Sequence, residues 1–191
     1  MAMKEPYFEK ILRRLRLRKL ENYICDDDIL LDVGCGWQAL ALQFFAHKLS
    51  KGIGIDFKVE NVELPNNIKT FQIHFEQLPW PIADNTANKV TMLAVLEHID
   101  PMKLDAIFAG IRGAMRKDGK LLITVPTPTA KPVLEFLAYK LGIVNSHEIR
   151  DHKKYYDYEN LSKLLDKQGF AIEKYRTFQL GFNSFCIAVR K

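Results

Sequence analysis

Ile29-Leu30-Leu31-Asp32-Val33-Gly34-Cys35-Gly36-Trp37-Gln38 is the stretch on which the reading of this chain turns. Three apolar residues lead into an acid, and two glycines spaced by one follow. The run Ile29 to Val33 reads as a short strand buried on both faces. Asp26, Asp27 and Asp28 before it are turn formers. The apolar pattern after it, Leu40, Leu42, Phe44, Phe45 and Leu49, suits a helix from Ala39 to about Leu49. A strand turning through Gly-x-Gly into a helix is the nucleotide-cofactor turn of a doubly wound α/β domain. Glycine permits the sharp turn and lets the backbone approach a ligand closely.

A lone Gly-x-Gly is weak evidence, so its neighbours decide between two ligands. In a dinucleotide turn the pyrophosphate sits on the helix N-terminus, and Gly34-x-Gly36-x-x-Ala39 fits the relaxed form of that fingerprint. Asp32, however, ends the strand two residues before the first glycine. A carboxylate there repels a phosphate and suits a cationic ligand, such as the amino group or sulfonium of S-adenosylmethionine. The next strand, Gly52-Ile53-Gly54-Ile55-Asp56, ends in a second acid, placed to accept hydrogen bonds from ribose hydroxyls. Asp56 serves either cofactor; Asp32 favours S-adenosylmethionine. Taken singly, each acid could also be an ordinary turn or capping residue.

With these residues in view, the chain resembles the class I S-adenosylmethionine-dependent methyltransferases, of the small-molecule, methyltransferase type 11-like kind. Leu30 to Gly36 is similar to their first motif and Gly54-Ile55-Asp56 to their second. Leu78-Pro79-Trp80-Pro81 with Asp84-Asn85-Thr86 resembles their proline-rich segment, Val95-Leu96-Glu97-His98-Ile99 the motif after strand four, and Met115 to Ile123 the approach to strand five. The resemblance covers roughly residues 28–190. It implies a Rossmann-like, doubly wound seven-stranded sheet in the order 3-2-1-4-5-7-6, with strand 7 antiparallel, and S-adenosyl-L-methionine as cofactor. The candidate cofactor-binding set is Asp32, Gly34, Cys35, Gly36, Asp56, Phe57, His74, Phe75 and Ala94. His74 stands where the family carries an acid that accepts from the adenine amino group; a neutral imidazole can also accept. Phe57 is either a platform for the cofactor or a core residue. Cys35 reads as a small side chain that fits the glycine turn rather than as a nucleophile.

The 191 residues fit one domain, 1–191, with 48% apolar and 27% charged residues, as in a globular protein. Within it, 1–25 reads as a basic amphipathic helix and 126–156 as an insertion on the acceptor side of the crevice. No segment approaches the ~20 apolar residues of a membrane span. A charged N-terminus without an apolar core points away from secretion. Cys25, Cys35 and Cys186 form no C-x-x-C and read as free thiols. A cytoplasmic location is therefore expected.

The net charge of +5 is concentrated early, at Lys10, Arg13, Arg14, Arg16, Arg18 and Lys19. Phe8, Ile11, Leu12 and Leu15 repeat at helical spacing, with Leu20, Tyr23 and Ile24 further on, which predicts an amphipathic helix whose apolar stripe faces inward. The basic face is read first as solvated; a weak contact with anionic membrane is the alternative. No aromatic interleaving or zinc spacing supports nucleic acid.

Further along, strands are expected at Ile68–Ile73, Lys89–Leu93 and Leu121–Val125. Helices are expected from Pro101 to Met115, from Ala130 to Leu141, and after a capping Asp157. Asp118-Gly119 reads as a turn. Ala171–Gln179 and Phe182–Arg190 read as a closing antiparallel hairpin. The segment Gly142 to His152, with His147, Arg150, Asp151 and His152, is taken as the acceptor-side wall. A hydroxyl acceptor needs a base, and His98 and His152 are the catalytic candidates. In some quinone O-methyltransferases that the chain resembles, the Glu-His pair helps hold a divalent metal; Ala94 replaces an earlier acid of that motif here, so no metal is expected. The functional expectation is methyl transfer by in-line displacement to a small-molecule, lipid- or sugar-intermediate acceptor. The alternatives are a nicotinamide-dependent oxidoreductase, disfavoured by Asp32, and a non-catalytic binding module.

Overall fold

The computed structural model describes residues 7–60, 63–130, 132 and 154–191. Seven strands form one sheet: β1 (Asp28–Val33), β2 (Leu49–Asp56), β3 (Ile68–Gln72), β4 (Ala87–Leu93), β5 (Met115–Pro126), β6 (Phe170–Phe178) and β7 (Asn183–Arg190). Their order is β3-β2-β1-β4-β5-β7-β6. The pairings among β1 to β5 are parallel, and β7 runs antiparallel to both β5 and β6. This is the Rossmann-like methyltransferase fold. The strand order reverses between β1 and β4, and the carboxyl ends there open a ligand crevice.

The sheet is buried on both faces because its central strands carry apolar residues at successive positions. Leu31 and Val33 of β1, with Leu121, Ile123 and Val125 of β5, pack on one face against α3 (Leu104–Ala114) and α4 (Tyr158–Lys167). Leu30 and Leu122 point to the other face, against α1 (Tyr7–Leu20) and α2 (Leu40–Phe45). The period of two thus builds two cores from one set of strands. Asp157 caps α4, its Oδ1 accepting from the Asn160 N–H at 2.8 Å.

Several local expectations shift. The helix after the glycine turn is short, and Leu42 and Phe45 are buried, while Phe44 is partly exposed and packs edge-on against Phe45. The chain enters β2 at Leu49, earlier than Gly52. Strand β5 takes in Asp118-Gly119 but is irregular there: Met115 pairs with Ala87 and Lys120 with Lys89, so three extra residues bulge out of register where the turn composition lies. Among the residues 10–20 of α1, Leu17 and Leu20 are buried, whereas Ile11 and Leu15 are 40% and 39% exposed. The stripe expected to face inward is therefore only partly covered. Of the expected helix 130–141 only residues 130 and 132 are described, both helical, and the residues His147, Arg150, Asp151 and His152 lie outside the described residues. Among the described residues, no helix is long and apolar enough to cross a membrane.

Trp80 is a buried plug between the proline loop and α3, its Nε1 donating to the Phe75 carbonyl at 2.9 Å. Gly110 of α3 lies against it, and a Cβ there would sit 2.7 Å from the indole. Gly110→Ala should gain about 1 kcal/mol of helix propensity but lose 1–3 kcal/mol or more to overpacking against a ring that cannot turn away. A lowered melting temperature is the expected result; a raised one would show that the indole relaxes freely.

Candidate active site

The site is built where β1, β2 and β4 end. A cavity of about 780 Å³ opens there, within the range of small-ligand sites. Asp32 is the last acid of β1 and lies one residue from the strand end, buried beneath the cavity. Its Oδ1 accepts from the Thr91 hydroxyl of β4 at 2.6 Å. Burial pushes the Asp32 carboxyl up to about 7, opposed by the Thr91 hydrogen bond and assisted by the charge of Asp56. A buried acid without a cation beside it is an incomplete ion pair, and a cationic ligand would complete it.

The glycine turn follows directly. Gly34 has φ +78° and donates to the Ile55 carbonyl at 2.8 Å. A Cβ on Gly34 would stand 2.3 Å from Val95, so glycine is required here by both dihedral and space. Gly36 has φ +72°, and a Cβ on it would meet no protein atom within 4 Å, leaving its backbone open on the cavity side. The Gly36 N–H donates to Asp56 Oδ2 at 2.8 Å, and Lys58 N–H to Oδ1 at 3.1 Å. Asp56 is thus fixed by two backbone donors. Each of its oxygens keeps acceptor capacity for a further donor. Its carboxyl is raised by burial, against the lowering effect of the Lys58, Gly36 and Phe57 N–H groups. Cys35 is buried, and burial pushes its thiol up, so it stays protonated and packs as a small apolar residue.

All nine sequence-derived cofactor candidates line this one cavity: Asp32, Gly34, Cys35, Gly36, Asp56, Phe57, His74, Phe75 and Ala94. Phe57 is 62% exposed, which removes the core reading and leaves a ring facing the opening. Ala94 takes φ +56° as the chain leaves β4, with its N–H bound to the carbonyl and hydroxyl of Thr124. His98 also lines the cavity, at the end of a one-turn 3₁₀ helix, Leu96–His98. The turn is held by the backbone, His98 N–H to the Val95 carbonyl at 3.0 Å. His152 lies outside the described residues.

Glu97 faces elsewhere. It is buried, and its Oε2 has no hydrogen-bond partner. Burial raises its carboxyl to about 7, while Arg16 acts in the opposite direction. Glu97 and His98 therefore do not form one ligand pair on the cavity wall. Among the described residues, no three His, Cys, Asp or Glu side chains cluster as a metal would need.

Sequence reasoning missed one wall. Arg13, Arg16 and Leu17 of α1 close the cavity from the side, and Lys103, bound to Glu76, lies at its rim. Those arginines were legible only as a basic face. Their spacing, i and i+3, puts them on one side of a helix, but nothing local says which side meets the sheet.

A buried acid under an open glycine turn, a fixed carboxylate at the next strand end and an exposed ring beside it fit S-adenosylmethionine. Together with the strand order they define a class I S-adenosylmethionine-dependent methyltransferase. A family model described as a methyltransferase domain matches residues 3–175, and the chain belongs to that family. Solved structures agree on the fold. A methyltransferase from Archaeoglobus fulgidus superimposes with a TM-score of 0.67 at 18% identity, covering 94% of this chain and 93% of that one. One from Methanosarcina mazei gives 0.62 at 16% identity, with 91% and 96% covered. A Burkholderia thailandensis 1,6-didemethyltoxoflavin-N1-methyltransferase, solved with S-adenosylhomocysteine and its acceptor, gives 0.65 at 15% identity, with 93% and 77% covered. No curated protein matches the chain.

Proposed function

We propose that the enzyme methylates a small-molecule acceptor, a class that includes lipid and sugar intermediates, bound beside His98, and that it works in the cytoplasm. The observation that supports this reading is the extent of the cavity. It runs on from the glycine turn past Ala94 and Val95 to His98, Ile99, Lys103 and Ile107, leaving room beyond the cofactor residues. The 1,6-didemethyltoxoflavin methyltransferase is a structural neighbour that acts on a small heterocycle. When bound, S-adenosylmethionine supplies an already activated methyl group. The protein's part is then to bind, orient and remove a proton, and alignment alone can account for much of the rate. In this reading Asp32 holds the cationic end of the cofactor, Asp56 its ribose hydroxyls, and Phe57 its base, with His74 and Phe75 alongside. His98 takes the proton from an acceptor hydroxyl. The segment 126–156 forms the acceptor-side wall, and His152 is the second candidate base.

The test is a transfer assay with methyl-labelled S-adenosylmethionine and a cell extract, separated afterwards into small-molecule, protein and nucleic-acid fractions. Label in the small-molecule or lipid fraction is expected. Label confined to protein or nucleic acid would sink the proposal.

A pH dependence follows from Asp32. Folded Asp32 keeps its proton up to about pH 7, whereas the unfolded chain releases it in the ordinary carboxylate range. The apo protein therefore loses stability as pH rises between those limits, and no more above them. A cationic ligand needs the ionised form. Cofactor affinity should rise with pH by up to about tenfold per unit below neutrality and level off above it. Titration calorimetry in buffers of different ionisation enthalpy would detect the released proton. Asp32→Asn should bind more weakly and without that slope; an unchanged slope would remove Asp32 from the role.

A further inference from the structure

α1 has a second working face. A groove of about 660 Å³ lies outside the catalytic cavity, between α1 and the β6–β7 hairpin. Arg18 and Lys19 enter it from the helix and Arg176 from β6, over walls made by Tyr23 and Phe178. Lys19 Nζ stands over the Phe178 ring, 5.8 Å from its centroid, a cation–π contact that keeps the charge on this face. No carboxylate is among the residues lining the groove. Glu21, the nearest acid along the helix, does not reach it.

Two leucines rise from the same rim. Leu15 is 39% exposed, and Leu180, at the hairpin tip, is 94% exposed. The tip is anchored to the helix by Gln179, whose Nε2 donates to the Leu12 carbonyl at 3.2 Å. Gln179 and Leu180 both take left-handed backbone, φ +53° and +58°, within a turn closed by Gly181 N–H on the Phe178 carbonyl. Such a turn favours Asn-Gly. A leucine there gains nothing for folding: it strains the backbone and leaves its side chain in water. An outlier of this kind points to a function.

We infer that this face binds the surface of an anionic phospholipid bilayer, with Leu180 and Leu15 entering the acyl boundary and Arg18, Lys19 and Arg176 on the headgroups. The charge is complementary, and isolated leucines ringed by long cationic side chains suit a fluid interface. An acidic protein segment could seat a side chain in the groove but would leave the outward-projecting Leu180 and Leu15 in water, whereas a bilayer covers them. The inference does not rest on the methyl-transfer reading.

The test is co-sedimentation of the full chain with phosphatidylcholine vesicles, with and without phosphatidylserine, over a range of salt. Binding is expected only with phosphatidylserine, and it should weaken as salt rises through physiological strength. Arg18→Glu with Lys19→Glu should lower partitioning by about 20-fold or more, at about fivefold for each cation lost. Leu180→Asn should lower it about tenfold while raising the melting temperature by about 2–4 °C, since asparagine tolerates the left-handed turn. Lys163→Glu, one such charge reversal placed on α4, should leave binding unaltered. Equal binding to both vesicle types, an equal loss with Lys163→Glu, or full binding by Leu180→Asn would overturn the inference. So would capture on polyglutamate beads without any vesicle binding, which would assign the face to an acidic protein.

Discussion

His98→Ala should leave S-adenosylhomocysteine affinity within about threefold of the wild type and lower turnover by about 10²–10⁴-fold. The imidazole lines the cavity beyond Ala94, on a turn whose backbone is closed by the His98 N–H on the Val95 carbonyl. Removing the ring therefore spares the glycine turn, Asp32 and Asp56. At saturating cofactor the wild-type rate should rise with pH across an imidazole titration, and the variant should lose that step. Saturation matters because Asp32 imposes its own pH dependence on cofactor binding. Kcat then reports the base, and the cofactor KM reports Asp32. If His98 only braces the turn, the variant should lose thermal stability, and turnover per folded molecule should be unchanged. If His152→Ala shows the kinetic signature and His98→Ala does not, the base belongs to the acceptor-side segment. If neither does, alignment alone carries the reaction, and the acceptor is already ionised or is a carbon or sulfur nucleophile.

Asp56→Ala should weaken cofactor binding by roughly 100-fold or more, because each hydrogen bond to a charged acceptor contributes about 1.5–3 kcal/mol. The structure adds a second loss. The carboxylate also anchors the Gly36 and Lys58 N–H groups, so alanine would loosen the turn that the ligand meets. The melting temperature should consequently fall as well, even without cofactor. Calorimetry on folded protein, with circular dichroism as the check on fold, separates the effects. A change of less than threefold in a correctly folded variant would contradict the assignment.

The parts legible in sequence were those fixed by short-range chemistry. Ile29 to Gly36 could only be a buried strand entering a glycine turn, and the spacing to Asp56 placed a second carboxylate at the adjacent strand end. The order of the seven strands came from family resemblance, since nothing local sets which strands pair. The failures share one cause. In α1 the apolar stripe is buried at its far end, at Leu20 and on to Ile24, but not at Ile11 and Leu15, while Leu17, outside the stripe, is buried in the same core as Phe178 and Phe185. Asp118-Gly119 has turn composition, and it falls where β5 bulges out of register with β4 rather than between two separate elements. Arg13 and Arg16 became cavity residues through the docking of a whole helix, information that no window of sequence contains.

The junction after β5 has a consequence for how the chain can vary. The Tyr156 N–H reaches the Pro126 carbonyl at 3.3 Å, and Tyr156 itself is buried in the core. The chain thus departs from the sheet and rejoins it at a single closed gate. A loop inserted between these two points would meet little thermodynamic resistance, since doubling a loop costs only about 0.6 kcal/mol against a domain stability of about 5–15 kcal/mol. The segment is in effect a cassette. Under the proposal that 126–156 walls the acceptor, an exchange of this segment would change the acceptor and leave the residues of the cofactor half in place.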